Sequence, residues 1–324
     1  MNRSERADAA LFENWGSLMK AIWALLSVLC MILAVGGPAL ADSDTADSDF
    51  FFGDNTFVDT AINPDIVVNR PVNIQGLTGL IVTNSAYTQP KNRFTIGLSG
   101  MLENSNVPNY TVGEGILTGT YGVTDAIEVG FKGRTVATNL GSSKNREIGA
   151  GDTDLLFKWR LSSQGEDLPA IAVGVALTLP TGDQSKGFHE VKHEGVRLML
   201  IGTHEKEMPE EDIVIGFYVE GQVVLNDQLE GRQNNPYRDK YGVINAGILV
   251  PITDGRQVQV IVEYNYVTQK DVLTPEGGNF SAVTPGLRFV TPSLNITAGV
   301  QFLTKDLPGF ENDQRYIGTL SYQF

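Results

Sequence analysis

The sequence predicts an all-β fold, a transmembrane up-and-down antiparallel β-barrel of about 12 strands. Apolar and polar residues alternate from Phe94 to the end of the chain, which is the period of a strand with one apolar face. The connections between the predicted strands alternate between short and long. An apolar leader near the N-terminus indicates export, and barrels of this kind occupy the outer membrane of Gram-negative bacteria.

Composition excludes several other classes. The chain has 324 residues and a formal net charge of -14, with 42% hydrophobic and 19% charged residues. This is too apolar for a disordered acidic chain. The acidic balance, without clusters of Lys and Arg, argues against a nucleic acid partner. We expect no cofactor.

The leader is predicted to be a secretory signal peptide spanning residues 1–41. Its apolar part, residues 21–35, is shorter than the roughly 20 residues that a membrane-spanning helix needs. Ala39 and Ala41 supply a small-x-small cleavage site before Asp42. An uncleaved anchor is the alternative, and translation could start at Met1 or at Met19.

Residues 42–93 precede the regular alternation and are rich in aspartate. We expect an acidic periplasmic segment here, with the barrel spanning residues 94–324. Residues 74–85 (IQGLTGLIVTNS) are apolar enough to pack against the barrel interior or its periplasmic mouth. The segment is therefore a candidate partial plug.

The strand period defines twelve predicted strands and their connections. The strands are predicted at about residues 94–102, 115–121, 126–133, 154–161, 170–179, 195–203, 213–224, 241–250, 258–268, 282–290, 293–303 and 315–324. Longer connections are predicted near residues 103–114, 134–153, 180–194, 225–240, 269–281 and 304–314, with short turns between them. Short periplasmic turns and long extracellular loops are typical of outer-membrane barrels, as is a terminal aromatic residue such as Phe324.

A secreted β-sandwich is the competing fold. Apolar and polar residues also alternate along its strands, but their apolar face points inward.

If the barrel is correct, the expected partners are outer-membrane lipid, a small-molecule solute and the barrel assembly machinery, which would engage the C-terminal strand ending in Phe324.

Several short motifs resemble one family. They are YGVTD at residues 121–125, GDTD at 151–154, Lys158-Trp159-Arg160, LPTGD at 179–183 and TPGLRF at 284–289. Their order and spacing resemble the outer-membrane barrel family catalogued as meta-pathway phenol-degradation transporters. The resemblance covers roughly residues 79–324. It implies a passive channel for small, aromatic or otherwise hydrophobic compounds.

Charged residues recur on the predicted inward face of the strands. They are Glu128, Lys132, Asp154, Lys158, Arg160, Arg197, Glu220, Glu263, Arg288 and Arg315. Two interpretations stay open: the charges pair and fill the barrel, or they line a narrow pore and set its selectivity. Because acidic residues concentrate outside the predicted strands, a narrow pore is expected to prefer anions mildly.

Two enzymatic alternatives have little support. Residues 189–193 (HEVKH) fit the zinc motif H-E-x-x-H, which makes His189 and His193 weak metal candidates, but the motif requires a helix and lies in a predicted loop. A barrel phospholipase needs a rim histidine, and His204 begins a predicted periplasmic turn. We therefore expect no catalytic residues and a channel that passes a small solute passively. A non-conducting structural or adhesion barrel is the main alternative, and a metal-dependent hydrolase is a remote one.

Overall fold

A computed structural model describes a large part of the chain. The described residues are 71–106, 109–139, 146–165, 168–186, 188, 191, 194–208, 213–226, 240–253, 256–268, 280–305 and 314–324. The predicted signal peptide, including Ala39, Ala41 and Asp42, lies outside them, as do His189 and His193.

The described part is built almost wholly from β-strands. They are β1 (Phe94–Asn106), β2 (Asn109–Thr124), β3 (Ile127–Asn139), β4 (Arg146–Ala150), β5 (Thr153–Ser162), β6 (Ala170–Leu179), β7 (Gly195–Met208), β8 (Ile213–Asn226), β9 (Lys240–Pro251), β10 (Val258–Thr268), β11 (Phe280–Val290), β12 (Leu294–Lys305) and β13 (Gln314–Gln323). One short 3-10 turn spans Gln184–Lys186.

Twelve of these strands form a closed antiparallel barrel. Each pairs with its neighbours in chain order, and β13 closes the ring by pairing with β1, with Leu98 opposite Leu320. The short strand β4 pairs with the far end of β3 and lies outside the ring order. Closure satisfies the backbone groups of every ring strand, which a lipid environment requires.

The predicted ring strands are confirmed, but three details of the prediction were wrong. Residues 146–150 form β4 instead of part of a loop. Only residues 107–108 separate β1 from β2, so the predicted long connection at 103–114 is mostly strand. His204 lies within β7 instead of starting a turn, because β7 and β8 pair as far as Met208 and Ile213.

The apolar face of the strands points outward. Along β5, Leu155, Phe157 and Trp159 are exposed, whereas the alternating Leu156 and Lys158 are buried. This orientation excludes the sandwich, whose apolar faces point inward. An apolar exterior around a polar interior is the arrangement of an outer-membrane barrel, and the chain is one. No helix among the described residues is long and apolar enough to cross a membrane, a finding that says nothing of a β-barrel.

Replacing Leu200 with arginine tests the lipid-facing belt. Leu200 points outward near the middle of β7 and is 60% exposed. An arginine there should lower the free energy of unfolding by about 2–4 kcal/mol, the cost of that side chain at the bilayer midplane. Denaturant unfolding in lipid vesicles, followed by Trp159 fluorescence, measures the loss. Val196→Arg, one residue from the end of β7, is the control and should cost about 0–1 kcal/mol. Equal losses at the two positions would contradict the belt.

Candidate functional site

A stretch of chain ahead of β1 lies inside the barrel. This interior segment, residues 71–89, contains no charged residue, and most of its side chains are buried. Two isolated bridges, Val72 with Thr78 and Gly79 with Asn84, fold it back on itself. Many of its other polar groups bond to side chains that point inward from the barrel wall.

Lys158 and Glu128 form a fully buried ion pair at the centre of these contacts. The Lys158 Nζ lies 2.8 Å from the Glu128 Oε1, and both side chains are inaccessible to solvent. The same ammonium donates to the carbonyl oxygens of Ser85 (2.9 Å) and Tyr87 (2.6 Å), and to the Thr78 hydroxyl. Because both charges are compensated, the pair can lie in the barrel interior without an unpaired charge.

Glu128 also accepts hydrogen bonds from two separate points of the interior segment, Thr78 and Gln89. The backbone N–H of Thr78 donates to its carboxylate at 3.0 Å, and that of Gln89 donates at 2.7 Å. These two donors are far apart in sequence, so one carboxylate fixes the path of the segment between them.

Two further carboxylates bind consecutive backbone N–H groups. Glu263 on β10 accepts from Val82 (3.1 Å) and Thr83 (2.7 Å). Glu220 on β8 accepts from the backbone and the side-chain amide of Asn84, at 3.2 and 2.6 Å. Charge-assisted hydrogen bonds of this kind are about twice as strong as neutral ones. The middle of the segment is therefore held by buried anions.

Donors on the wall bind the segment's oxygens. The Arg288 Nη2 donates to the carbonyl of Gly79 at 2.9 Å, and the Arg197 Nη1 donates to the Gln75 Oε1 at 3.0 Å. Two of the wall's cations also pair with carboxylates, Lys158 with Glu128 at 2.8 Å and Arg197 with Asp154 at 3.5 Å. The wall thus presents acceptors to the segment's N–H groups and donors to its oxygens.

Small residues on β6 make room for the segment's larger side chains. Leu77, Ala86 and Tyr87 pack in one buried cluster with Ala172 and Ala176 on that strand. The small side chains of Ala172 and Ala176 leave free space on this wall. The structure fills the space with the interior segment.

Glycines on three other strands form notches for two apolar anchors. A Cβ at Gly247 would collide with the Cδ1 of Leu80, and one at Gly286 or Gly299 would collide with the Cδ1 of Ile81. Leu80 and Ile81 are almost fully buried. The notches therefore fix which side chains of the segment face which strand.

The turn after β2 holds the exit of the segment toward β1. The Thr88 hydroxyl donates to the carbonyl of Asp125 at 2.5 Å, and the Asp125 carboxylate accepts from the backbone of Lys91 at 3.0 Å. A Cβ at Gly122 would collide with the carbonyl of Pro90, so the close approach requires glycine there. Residues 121–125 thus join the segment to the short-turn end of the barrel.

Two further motifs meet at the opposite, long-loop end. The Asp152 carboxylate accepts from the backbone of Gly182 at 2.8 Å, and the backbone of Asp183 donates to Ala150 at 2.9 Å. Hydrogen bonds from Ser185 and the nearby Lys186 lower the pKa of the exposed Asp183 carboxyl. GDTD and LPTGD therefore form one loop scaffold.

The ten predicted lumen residues face inward, in three groups. Six bond directly to the interior segment: Glu128, Lys158, Arg197, Glu220, Glu263 and Arg288. Nearer the long loops, the Lys132 Nζ lies 3.7 Å and the Arg197 Nη2 3.5 Å from the Asp154 Oδ2. Arg315 pairs with Glu103 at 2.6 Å, and Arg160 lies half-buried near the short-turn end of β5. Most of the charges thus serve the segment or a local ion pair.

Sequence reasoning missed the neutral residues that complete the site. The Thr203 hydroxyl accepts from the backbone of Ala86 at 2.8 Å, and the Thr120 hydroxyl donates to the carbonyl of Gly76 at 2.9 Å. Alternation placed these threonines on the inward face but could not select them among other polar residues. One available signal was the uncharged run of residues 71–90 between Arg70 and Lys91.

No metal site is found in the part of the chain that the structure describes, where no group of three or more His, Cys, Asp or Glu side chains could hold an ion. The weak candidates His189 and His193 are outside that part, so the zinc hypothesis for them stays untested.

Comparisons with known proteins support the fold. No known protein family and no curated protein sequence matches the chain. Among solved structures, the COG4313 outer membrane channel from Pseudomonas putida F1 gives a TM-score of 0.52 at 13% identity, covering 74% of this chain and 98% of that chain. The NanC porin gives 0.47 at 10% identity (70% and 98% covered), and the KdgM porin 0.45 at 9% (70% and 99%). At 13% identity, the similarity to the COG4313 channel shows the barrel fold alone.

Substitution of Lys158 tests the central ion pair. In Lys158→Met the Glu128 carboxylate stays buried without its cation, which should cost about 3–5 kcal/mol of unfolding free energy. Adding Glu128→Gln should recover part of the loss, because no unpaired charge is then buried. Denaturant unfolding of both variants measures the effect. A double variant no more stable than Lys158→Met would show that the two side chains do not act as a pair.

Proposed function

We propose that this protein is an outer-membrane channel whose lumen is occupied by its interior segment and that it passes a small solute passively when the segment shifts. The proposal rests on the groups to which the inward charges bond. In a purely structural barrel such charges can pair with each other across the wall. Here six of them bond to a segment that joins the barrel only through residues 90–93 among the described residues.

The solute class is proposed from the family resemblance and the fold. Channels and porins are among the solved structures with a similar barrel. The motifs at residues 121–125, 158–160, 179–183 and 284–289 resemble transporters of small aromatic or hydrophobic compounds. We propose no catalytic step, since the interior polar groups described above serve to hold the segment.

The C-terminal strand supports a proposed assembly partner. Phe324 stacks on Phe94 with ring centroids 6.2 Å apart, and its ring meets Tyr322 edge to face at 5.0 Å. These aromatic residues lie at the seam where β13 closes on β1. We propose that the barrel assembly machinery engages this strand before the seam forms.

Deleting residues 42–85 tests the channel. The deletion removes the Lys158 contact at Ser85 and the Glu263 contacts at Val82 and Thr83, so single-channel conductance in planar bilayers should rise several-fold over the full chain. The control is Ile252→Asp, a substitution in an exposed turn, which should leave conductance unchanged. Absence of steady conductance in both the full chain and the deletion variant would identify a structural barrel.

Arg160→Glu tests the charge preference of the path. Arg160 lies half-buried on the inward face of β5, near its short-turn end, so its reversal changes the charge that a passing ion meets on the wall. The reversal potential in a salt gradient should shift toward cations, because a positive side chain on the lumen wall is replaced by a negative one. Lys186→Glu, in an exposed loop, is the charge-matched control. An unchanged reversal potential in Arg160→Glu would remove this residue from the path.

A further inference from the structure

The wall of the lumen has the properties of a receptor for a peptide backbone. We infer that it is a binding site for an uncharged peptide that folds back on itself as the interior segment does, and that it accepts such a peptide from outside the chain when the interior segment is displaced. The inference rests on the proposed function in one respect, the ability of the segment to leave its place.

The lumen wall recognises the backbone of the segment more than its side chains. Three buried carboxylates, Glu128, Glu220 and Glu263, together accept from five backbone N–H groups. Those groups belong to Thr78, Val82, Thr83, Asn84 and Gln89. Backbone N–H groups are present in any peptide, so this recognition tolerates many sequences.

Buried cations complement the carboxylates by binding backbone oxygens. Lys158 donates to the carbonyls of Ser85 and Tyr87, and Arg288 donates to that of Gly79. A ligand must therefore offer both donors and acceptors along one backbone. A peptide does so, whereas a hydrocarbon offers neither.

The ligand must also be uncharged in the part that is bound. Glu128, Glu263 and Arg288 are each almost fully buried, Glu128 is paired with Lys158, and Glu263 and Arg288 bond to backbone groups of the segment. An added side-chain charge would be desolvated without a partner, which opposes binding. The resident segment meets this condition, because no charged residue occurs between Arg70 and Lys91.

Selectivity among neutral peptides comes from the glycine notches. Leu80 and Ile81 occupy spaces that a Cβ at Gly247 or Gly286 would close. A peptide with two adjacent branched aliphatic residues at that point fits the notches. An acidic pair at the same point would lie beside Glu263, whose carboxylate binds the backbone of the next two residues.

Binding of a labelled peptide to the full-length protein tests the inference. The probe is a fluorescent synthetic peptide with the sequence of residues 71–89, and fluorescence anisotropy in detergent measures its Kd. In the wild type the interior segment is tethered to the barrel, so it competes with the probe at a high effective concentration. The full-length variant Leu80→Asp/Ile81→Asp weakens that competitor, so it should bind the probe at least tenfold more tightly. If this variant does not fold, Ile81→Ala replaces it.

Two matched substitutions in the same background locate the site. Adding Glu263→Gln should weaken probe binding about tenfold, because the acceptor of two backbone N–H groups loses its charge. Adding Glu103→Gln, an inward residue that pairs with Arg315, should leave the Kd unchanged. A probe carrying Asp at the positions of Leu80 and Ile81 should bind at least tenfold more weakly than the unmodified probe.

Each result bears on the inference. Equal affinity of the probe for wild type and variant, or an unchanged Kd with Glu263→Gln, would overturn it. Probe binding in a protein that gives no conductance would retain the peptide site and reject the channel. Conductance of the deletion variant without probe binding in the substituted chain would retain the channel and reject the peptide site.

Discussion

A closed barrel with charges on its inner face must supply each charge with a partner, and this constraint organises the structure. The buried pair of Lys158 and Glu128 shows how it is met. Burying either charged group alone would be costly. Pairing the two does not use all of their hydrogen-bond donors and acceptors, and the remaining ones still need partners. The backbone of the interior segment satisfies it. The segment, the charged wall and the small residues opposite them are therefore one packing arrangement.

The motifs that suggested a family acquire a physical meaning in this arrangement. Residues 121–125 hold the exit of the segment, Lys158 in the triplet at 158–160 holds its carbonyls, and residues 286–288 supply a notch and a cation. Motifs far apart in sequence thus meet on one short stretch of chain. The loop motifs GDTD and LPTGD contact each other instead and stabilise the long-loop end.

The strand period predicted the barrel, and the apolar stretch at residues 74–85 suggested a plug, but neither predicted how the two contact each other. Alternation along β10 assigned Glu263 to the polar face, and the closed sheet places it inside. The same pattern gave no indication that its partners are Val82 and Thr83, because that contact joins residues far apart in sequence. The extra strand β4 was missed because Arg146–Ala150 is short and, among the described residues, pairs with β3 alone. Local pattern predicts local structure, whereas the site depends on long-range pairing.

The position of the interior segment in the chain affects the order of assembly. The segment immediately precedes β1, yet its partners are distributed over strands from β2 to β13, and the seam between β1 and β13 forms from the two ends of the barrel sequence. Contacts of such long sequence separation form slowly. Residues 90–93 connect the segment to β1 at the short-turn end, where they bond to Gly122 and Asp125. Closing the seam and seating the segment therefore both depend on contacts between residues far apart in the chain.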